Sequence, residues 1–316
     1  MIKGYKKEDN KIIEVIYDET DDSKVAVDVL YCGICGTDYQ KYIGMDNVDE
    51  WGHEIIGKVN DNLVIIRTTY PCEKCENCTN GHPEKCNKWK RLNINGFSNK
   101  VFVDNNSIIN INEKELDLVY ALVEPLYVAN NLIKHIKPSN DSIYTVVGNG
   151  TIGLLSAFLI KEKYNGEVRI VARRNPQSRE EFIKKIDAKY YDFNEIEKAL
   201  NESNKIIITT PYNTIPDILK EVDSYSNITF NGISKETKIE LEMDKWHFKN
   251  LCIWPSFPHP QSDFKEEIKI IKENKDILRS IITNIYDLDN IEEAFKLLNN
   301  KQDTIKVLVE CKEGNK

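Results

Sequence analysis

A chain of 316 residues, 41% hydrophobic and 30% charged, is long enough for two domains and too rich in core-forming residues to be disordered. A formal net charge of −8 argues against nucleic acid and anionic membrane as partners. The start, MIKGYKKEDNK, lacks the apolar stretch of an export signal, and GTIGLLSAFLI is far short of the ~20 residues of a bilayer span, so a cytoplasmic enzyme is expected.

In chain order, KVAVDVLY alternates Val25, Val27 and Val29 on one face and reads as a strand, with Cys32 a small core residue on it. GICGTD and then GHE follow. Cys35 offers a thiolate, His53 an imidazole and, further on in EPL, Glu124 a carboxylate. Three such ligands leave a fourth position for water or substrate, the arrangement expected of a catalytic zinc. Asp38 is expected to accept the second ring N–H of His53, Thr37 to pass a proton from a bound alcohol towards solvent, and Glu54 to stand behind the metal or exchange onto it.

CEKCENCTNGHPEKC places Cys72, Cys75, Cys78 and Cys86 within fifteen residues. Without an export signal, the spacing C-x2-C-x2-C-x7-C points to a closed four-sulfur zinc site that holds structure and leaves no position open for chemistry. His82 reads as a turn residue in that loop, and the basic KWKR after it as a solvated turn.

SIYTVVGNGTIGLLSAFLIKEKY is a strand, a glycine turn and a helix. Gly148 permits the tight turn, Gly150 lets backbone approach a pyrophosphate, and Gly153 allows close helix–strand packing, with Thr151 and Ile152 opening the helix between them. The next strand, EVRIVA, ends in Arg173 and Arg174 where an NAD site usually has an acid. Guanidinium groups there favour the 2′-phosphate of NADP, with use of NAD left open. Further strands AKYYDF, KIIITT, SNITFNGI and LCIWPSF, with helices SREEFIKKI and TIPDILKEV between the earlier ones, predict a parallel, doubly wound sheet.

From about residue 25 almost to the end, these motifs resemble the zinc-dependent medium-chain dehydrogenase/reductase family, in the family's order. The resemblance implies an α/β protein: a mostly-β, GroES-like catalytic domain over residues 1–137, a Rossmann domain inserted over 138–254, and a return to the catalytic domain over 255–316. It further implies Cys35, His53 and Glu124 as catalytic zinc ligands, Cys72, Cys75, Cys78 and Cys86 as structural ones, two zinc ions per chain, and a homodimer or homotetramer. ARRN with IKKIDAKYYDFNE, and DTIKVLVE, are similar to archaeal glucose dehydrogenases, in which the tandem arginines contact NADP. Only ten residues separate Cys86 from Gly96, where glucose dehydrogenases carry a longer loop with sugar contacts, so glucose itself does not follow. Asn95 and Asn130 are the only sugar contacts that could carry over.

The expected activity is hydride transfer between the alcohol carbon of a sugar or polyol and NADP, glucose 1-dehydrogenase-like, with polyol, sugar-phosphate or threonine oxidation as alternatives. A zinc-free reductase or regulatory relative, and a nucleic-acid-binding zinc finger, are the competing classes. His135, His247 and His259 read as surface or packing residues, and Cys252 and Cys311 as small core residues.

Overall fold

The alternation in KVAVDVLY folds as the strand Val25–Gly33, with Val27 and Val29 buried and Ala26 and Asp28 exposed. The computed structural model describes residues 1–17, 21–232, 237–257, 259–300 and 303–312. Ile233, at the end of SNITFNGI, and Pro258, the residue after LCIWPSF, lie outside the described residues. Val25–Gly33 is central to a seven-stranded sheet in the order Ile282–Asp287, Lys306–Glu310, Val25–Gly33, Glu54–Val59, Asn62–Ile66, Ile108–Asn110, with Lys100–Val103 pairing beside its first half. All pairs are antiparallel except Ile282–Asp287 with Lys306–Glu310. A hairpin of Ile2–Glu8 and Lys11–Tyr17, and a short ladder of Thr69–Tyr70 with Lys90–Arg91, complete the β structure of this region.

The chain divides into two compact units, Met1–Glu124 with His259–Lys316, and Pro125–Pro258. The first boundary falls earlier than residue 137 because most of the helix Val123–His135 packs with the second unit. Asn130 accepts from Lys163 at 2.8 Å, Asn131 donates to Ser256 at 2.9 Å, and His135 stacks on Trp254 at 6.0 Å.

The C-terminal segment enters the core of the first unit. Lys306–Glu310 lies against Val25–Gly33 with Val309 opposite Cys32. The helix Ile291–Asn299 inserts Phe295, whose ring stacks on Trp51 at 5.1 Å, while Phe97 meets both rings edge-on at 5.4 and 5.9 Å. Trp51 also donates its indole N–H to the Tyr5 carbonyl at 2.8 Å. The residue just before Gly52-His53 is thereby fixed from three directions.

The second unit holds six parallel strands in the order Lys189–Asp192, Glu167–Ala172, Ile143–Val147, Lys205–Ile208, Asn227–Phe230, Cys252–Pro255. Numbered along the chain this is 3-2-1-4-5-6, the doubly wound order that opens a crevice where the direction of winding reverses. The helix Thr151–Lys163 follows the first strand and is buried continuously from Gly153 to Ile160.

Phe295→Ala should cost about 3–5 kcal/mol through the cavity it leaves among Trp51, Phe97 and Tyr42. Calorimetry should show a clearly lowered unfolding transition; an unchanged profile would contradict the role given to this cluster.

Candidate functional site

Gly33 ends the central strand and Cys35 caps the helix Gly36–Gly44. Asp38, fully buried in the first turn, accepts the Cys35 backbone N–H at 3.0 Å and the Gly52 N–H at 2.9 Å. One carboxylate thus ties the cysteine to the residue before His53. The expected bond from Asp38 to the His53 ring is not made: the two stand 3.8 Å apart, beyond hydrogen-bond reach, and each carboxylate oxygen instead accepts from a backbone amide. Thr37 is half-buried two residues beyond Cys35.

Donor atoms of Cys35, His53 and Glu54 all lie within 4.8 Å of one another. Glu54 opens the strand Glu54–Val59 opposite Gly33 and forms a buried ion pair with Lys306, whose ammonium also donates to the Ile34 carbonyl at 2.9 Å. A Cβ on Gly33 would collide with Glu54 Oε2, so only glycine fits beneath the pair. Burial acts to lower the His53 pKa, but the Cys35 thiolate, Asp38 and Glu124 outweigh it and hold the imidazole well above its usual range. That surplus of negative charge around nitrogen and sulfur donors suits a cation such as zinc.

Glu124 stands outside the tight trio. It is buried, and burial raises its pKa to about 7 against the pull of His53. Gln261 donates to Glu124 Oε1 at 2.9 Å while its own Oε1 accepts from Thr69 N at 3.2 Å, so the amide has a single orientation. His259, two residues earlier, meets Thr69 Oγ1 through Nδ1 at 2.5 Å and stacks on Trp89. Sequence reasoning read His259 as a surface or packing residue and gave Gln261 and Lys306 no role of their own. All three reach the site from the C-terminal segment; Lys306 lies within DTIKVLVE, but nothing in that motif marks it as the partner of Glu54.

In the cysteine loop, Cys75 Sγ lies 3.4 Å from Cys78 Sγ and 3.8 Å from Cys86 Sγ, and Cys72 Sγ lies 4.0 Å from Cys78 Sγ. Four sulfurs around one zinc at ~2.3 Å would stand about 3.8 Å apart at the corners of a tetrahedron. Disulfides need ~2.05 Å, and all four cysteines are free. Backbone N–H groups of Cys72 and Cys75 point at the sulfurs of Cys86 and Cys72 at 3.4 and 3.3 Å. His82 is exposed beside Glu84 and outside the sulfur cluster.

In the second unit, Gly148 has φ +112°, a conformation that only glycine adopts readily, and a Cβ on Gly153 would strike the Gly148 carbonyl. A Cβ on Gly150 would meet nothing within 4 Å, which leaves backbone open to a pyrophosphate at the start of the helix where Thr151 and Ile152 sit. The turn is braced by Asn149, which donates to the Arg174 carbonyl at 2.7 Å and accepts from Arg179 at 3.0 Å. Arg173 lies over the Phe193 ring at 5.0 Å, and Arg173 and Arg174 are both exposed at the strand end. Arg179 is a third arginine at this turn that strand-end reasoning did not reach.

Asn95 spends its amide on Tyr5 O and Phe97 N, and Asn130 is buried against Lys163. His135 packs on Trp254, and His247 is an exposed helix residue beside Phe248. Cys32 and Cys311 are fully buried thiols whose pKa burial pushes up, whereas Cys252 is only half-buried.

Lys306→Met leaves the buried Glu54 charge without its partner and should destabilise the protein by about 3–5 kcal/mol, measured by chemical denaturation. Adding Glu54→Gln should recover much of that loss. Equal stability of the parent and the single variant would reject the pair's structural role.

The matches to known proteins agree with this architecture. The alcohol dehydrogenase GroES-like domain model matches residues 21–113, and the glucose dehydrogenase C-terminus model matches residues 118–311. A sorbitol dehydrogenase from Halalkalibacterium halodurans is 24% identical over 317 aligned positions, covering 90% of this chain and 91% of that one. An alcohol dehydrogenase from Escherichia coli CFT073, solved with NADH, superposes with a TM-score of 0.82 at 23% identity, over 98% of this chain and 99% of that one. The glucose dehydrogenase of Haloferax mediterranei gives a TM-score of 0.80 at 19% identity, over 99% of this chain and 100% of that one. The chain belongs to the medium-chain, alcohol dehydrogenase-like family of zinc-dependent, NAD(P)-linked oxidoreductases.

Proposed function

We propose that the protein oxidises the alcohol carbon of a sugar or polyol with NADP, and reduces the corresponding carbonyl in reverse. The observation that carries this reading is the convergence of Cys35, His53 and Glu54 donor atoms within 4.8 Å, with Glu124 held close by Gln261. These are the sulfur, nitrogen and oxygen donors of a zinc site with room for a substrate oxygen. A zinc ion held by Cys35, His53 and a glutamate would supply Lewis-acid polarisation of that oxygen. The dinucleotide on the Gly148–Gly153 turn would accept the hydride.

The chain's own residues do the rest. Asp38 fixes Cys35 and the approach to His53 through two backbone amides. Thr37, half-buried in the first helical turn, takes the proton of the substrate hydroxyl towards solvent. Lys306 holds Glu54 beside the trio, so this carboxylate can act as the third ligand or as a charge behind it. Gly150 admits a pyrophosphate, and Arg173 and Arg174 take the 2′-phosphate, which favours NADP over NAD. Cys72, Cys75, Cys78 and Cys86 would hold a second zinc that stiffens their loop, which would give two zinc ions per chain.

The similarity to a sorbitol dehydrogenase supports a polyol, and the family match supports a sugar; glucose itself gains no support from the loop after Cys86. A homodimer or homotetramer belongs to the same reading, supported by Trp254 on the edge strand Cys252–Pro255 of the parallel sheet and Phe257 just after it, 46% and 67% exposed. No described helix is long and apolar enough to cross a membrane.

Cys35→Ser should abolish formation of reduced dinucleotide and lose one equivalent of zinc, while fluorescence titration still shows NADPH bound. Full turnover in this variant would sink the assignment. Replacing Arg173 and Arg174 together with Ala should raise the KM for NADP at least about 100-fold, since each charge-assisted contact contributes roughly 1.5–3 kcal/mol. The KM for NAD should move little; equal effects on both dinucleotides would rule out the phosphate role.

A further inference from the structure

The basic stretch Lys88-Trp89-Lys90-Arg91 is left unexplained by the metal and dinucleotide sites. All four residues are exposed in a protein of net charge −8. Among the described residues, no carboxylate pairs with the side chains of Lys88, Lys90 or Arg91. A solvated turn has no need to keep three such charges together.

Strand geometry separates these cations. In the antiparallel ladder, Thr69 pairs with Arg91 and Tyr70 with Lys90. Directly opposed residues share a face, and successive residues alternate. Tyr70 reaches Asp104 on one face, taking Lys90 with it. Thr69 meets His259 on the other, at 2.5 Å, so Arg91 projects to the His259 face. Trp89, two residues before Arg91, lands on that face as well and stacks against the His259 ring at 6.1 Å.

That face leads to the metal trio. The His259 loop continues into Gln261, which is bonded to Glu124 at 2.9 Å and to Thr69 at 3.2 Å. Burial, and then the charges of His53 and Arg91, push the His259 imidazole down to about 4, so it is neutral at pH 7 and within electrostatic reach of both residues. A flat aromatic wall, a neutral imidazole and an unneutralised guanidinium therefore run from the carboxylate at the metal centre outward.

We infer that Arg91 is a specificity-determining residue that binds an oxyanion end-group, carboxylate or phosphate, of the polyol substrate, with Trp89 and His259 as the wall along which its carbon chain lies. The inference rests on the dehydrogenase reading of the same site and narrows its substrate to an acidic polyol. A guanidinium forms paired hydrogen bonds to a carboxylate or phosphate, an interaction a neutral hydroxyl cannot replace.

The test is calorimetric titration of the zinc-loaded protein with three probes of one carbon skeleton: sorbitol, gluconate and sorbitol 6-phosphate. At least one anion should bind the parent about 10- to 100-fold more tightly than sorbitol. Which anion does so distinguishes carboxylate from phosphate. Arg91→Ala should erase that ratio, Arg91→Lys should keep part of it, and Lys90→Ala, on the opposite face, should keep it whole. The inference is overturned if neither anion outbinds sorbitol, if Arg91→Ala leaves the ratio intact, or if Lys90→Ala removes it equally. Reduced dinucleotide is measured in parallel samples supplied with NADP. An Arg91-dependent anion site without turnover would sink the dehydrogenase reading alone, and turnover of sorbitol without an anion advantage would sink only the role of Arg91.

Discussion

A lysine and a glutamate, 2% and 3% exposed, face each other beneath the candidate metal centre, and this pair constrains much of the first unit. Charges taken out of water must stay together or cost several kcal/mol each. Keeping Lys306 on Glu54 fixes the strand Lys306–Glu310 in register on Val25–Gly33, where Ile34 N also donates to the Val307 carbonyl at 3.0 Å. It admits only glycine at position 33. Cys35 follows two residues after that glycine and His53 stands one residue before Glu54, so both donors inherit their places from the pair. The stacked rings of Trp51 and Phe295 secure the same junction from the other side.

Charge is distributed unevenly around this centre. Cys35, Glu54, Glu124 and Asp38 gather negative charge about one imidazole, with Lys306 set against it. Towards the Lys90–Arg91 strand the sign reverses, with cations that pair with no carboxylate among the described residues. A site built this way draws a substrate with two different ends, one that donates an oxygen to a metal and one that carries its own negative charge.

What could be read from the sequence was local. The cysteine spacing and the glycine turn each lie within a short segment, so their geometry follows from neighbouring residues alone. The strand alternation of Val25, Val27 and Val29 and the parallel strands from Ile143 to Pro255 were legible for the same reason. Asp38 was placed in the right neighbourhood but given the wrong partner, since its position in the first turn after Cys35 commits it to backbone amides. Glu124, expected as the carboxylate donor, is bonded to Gln261, while the carboxylate that lies within 4.8 Å of the Cys35 and His53 donors is Glu54, held by Lys306. Gln261 lies 137 residues from Glu124, and His259 lies 190 from Thr69, separations at which a single sequence carries no pairing signal.

The first unit is discontinuous, and this sets a schedule for its assembly. The strand Val25–Gly33 is made early, but its partner Lys306–Glu310 and the Phe295 helix emerge only after the whole parallel-sheet unit has been synthesised. At ~5–20 residues per second that interval is on the order of 15–50 s. Throughout it an apolar strand edge stands open while the continuous second unit can already fold on the ribosome. The donors around His53 acquire their final spacing only once Lys306 has joined Glu54, whereas the four sulfurs of the compact cysteine loop can gather as soon as residues 72–86 have been made.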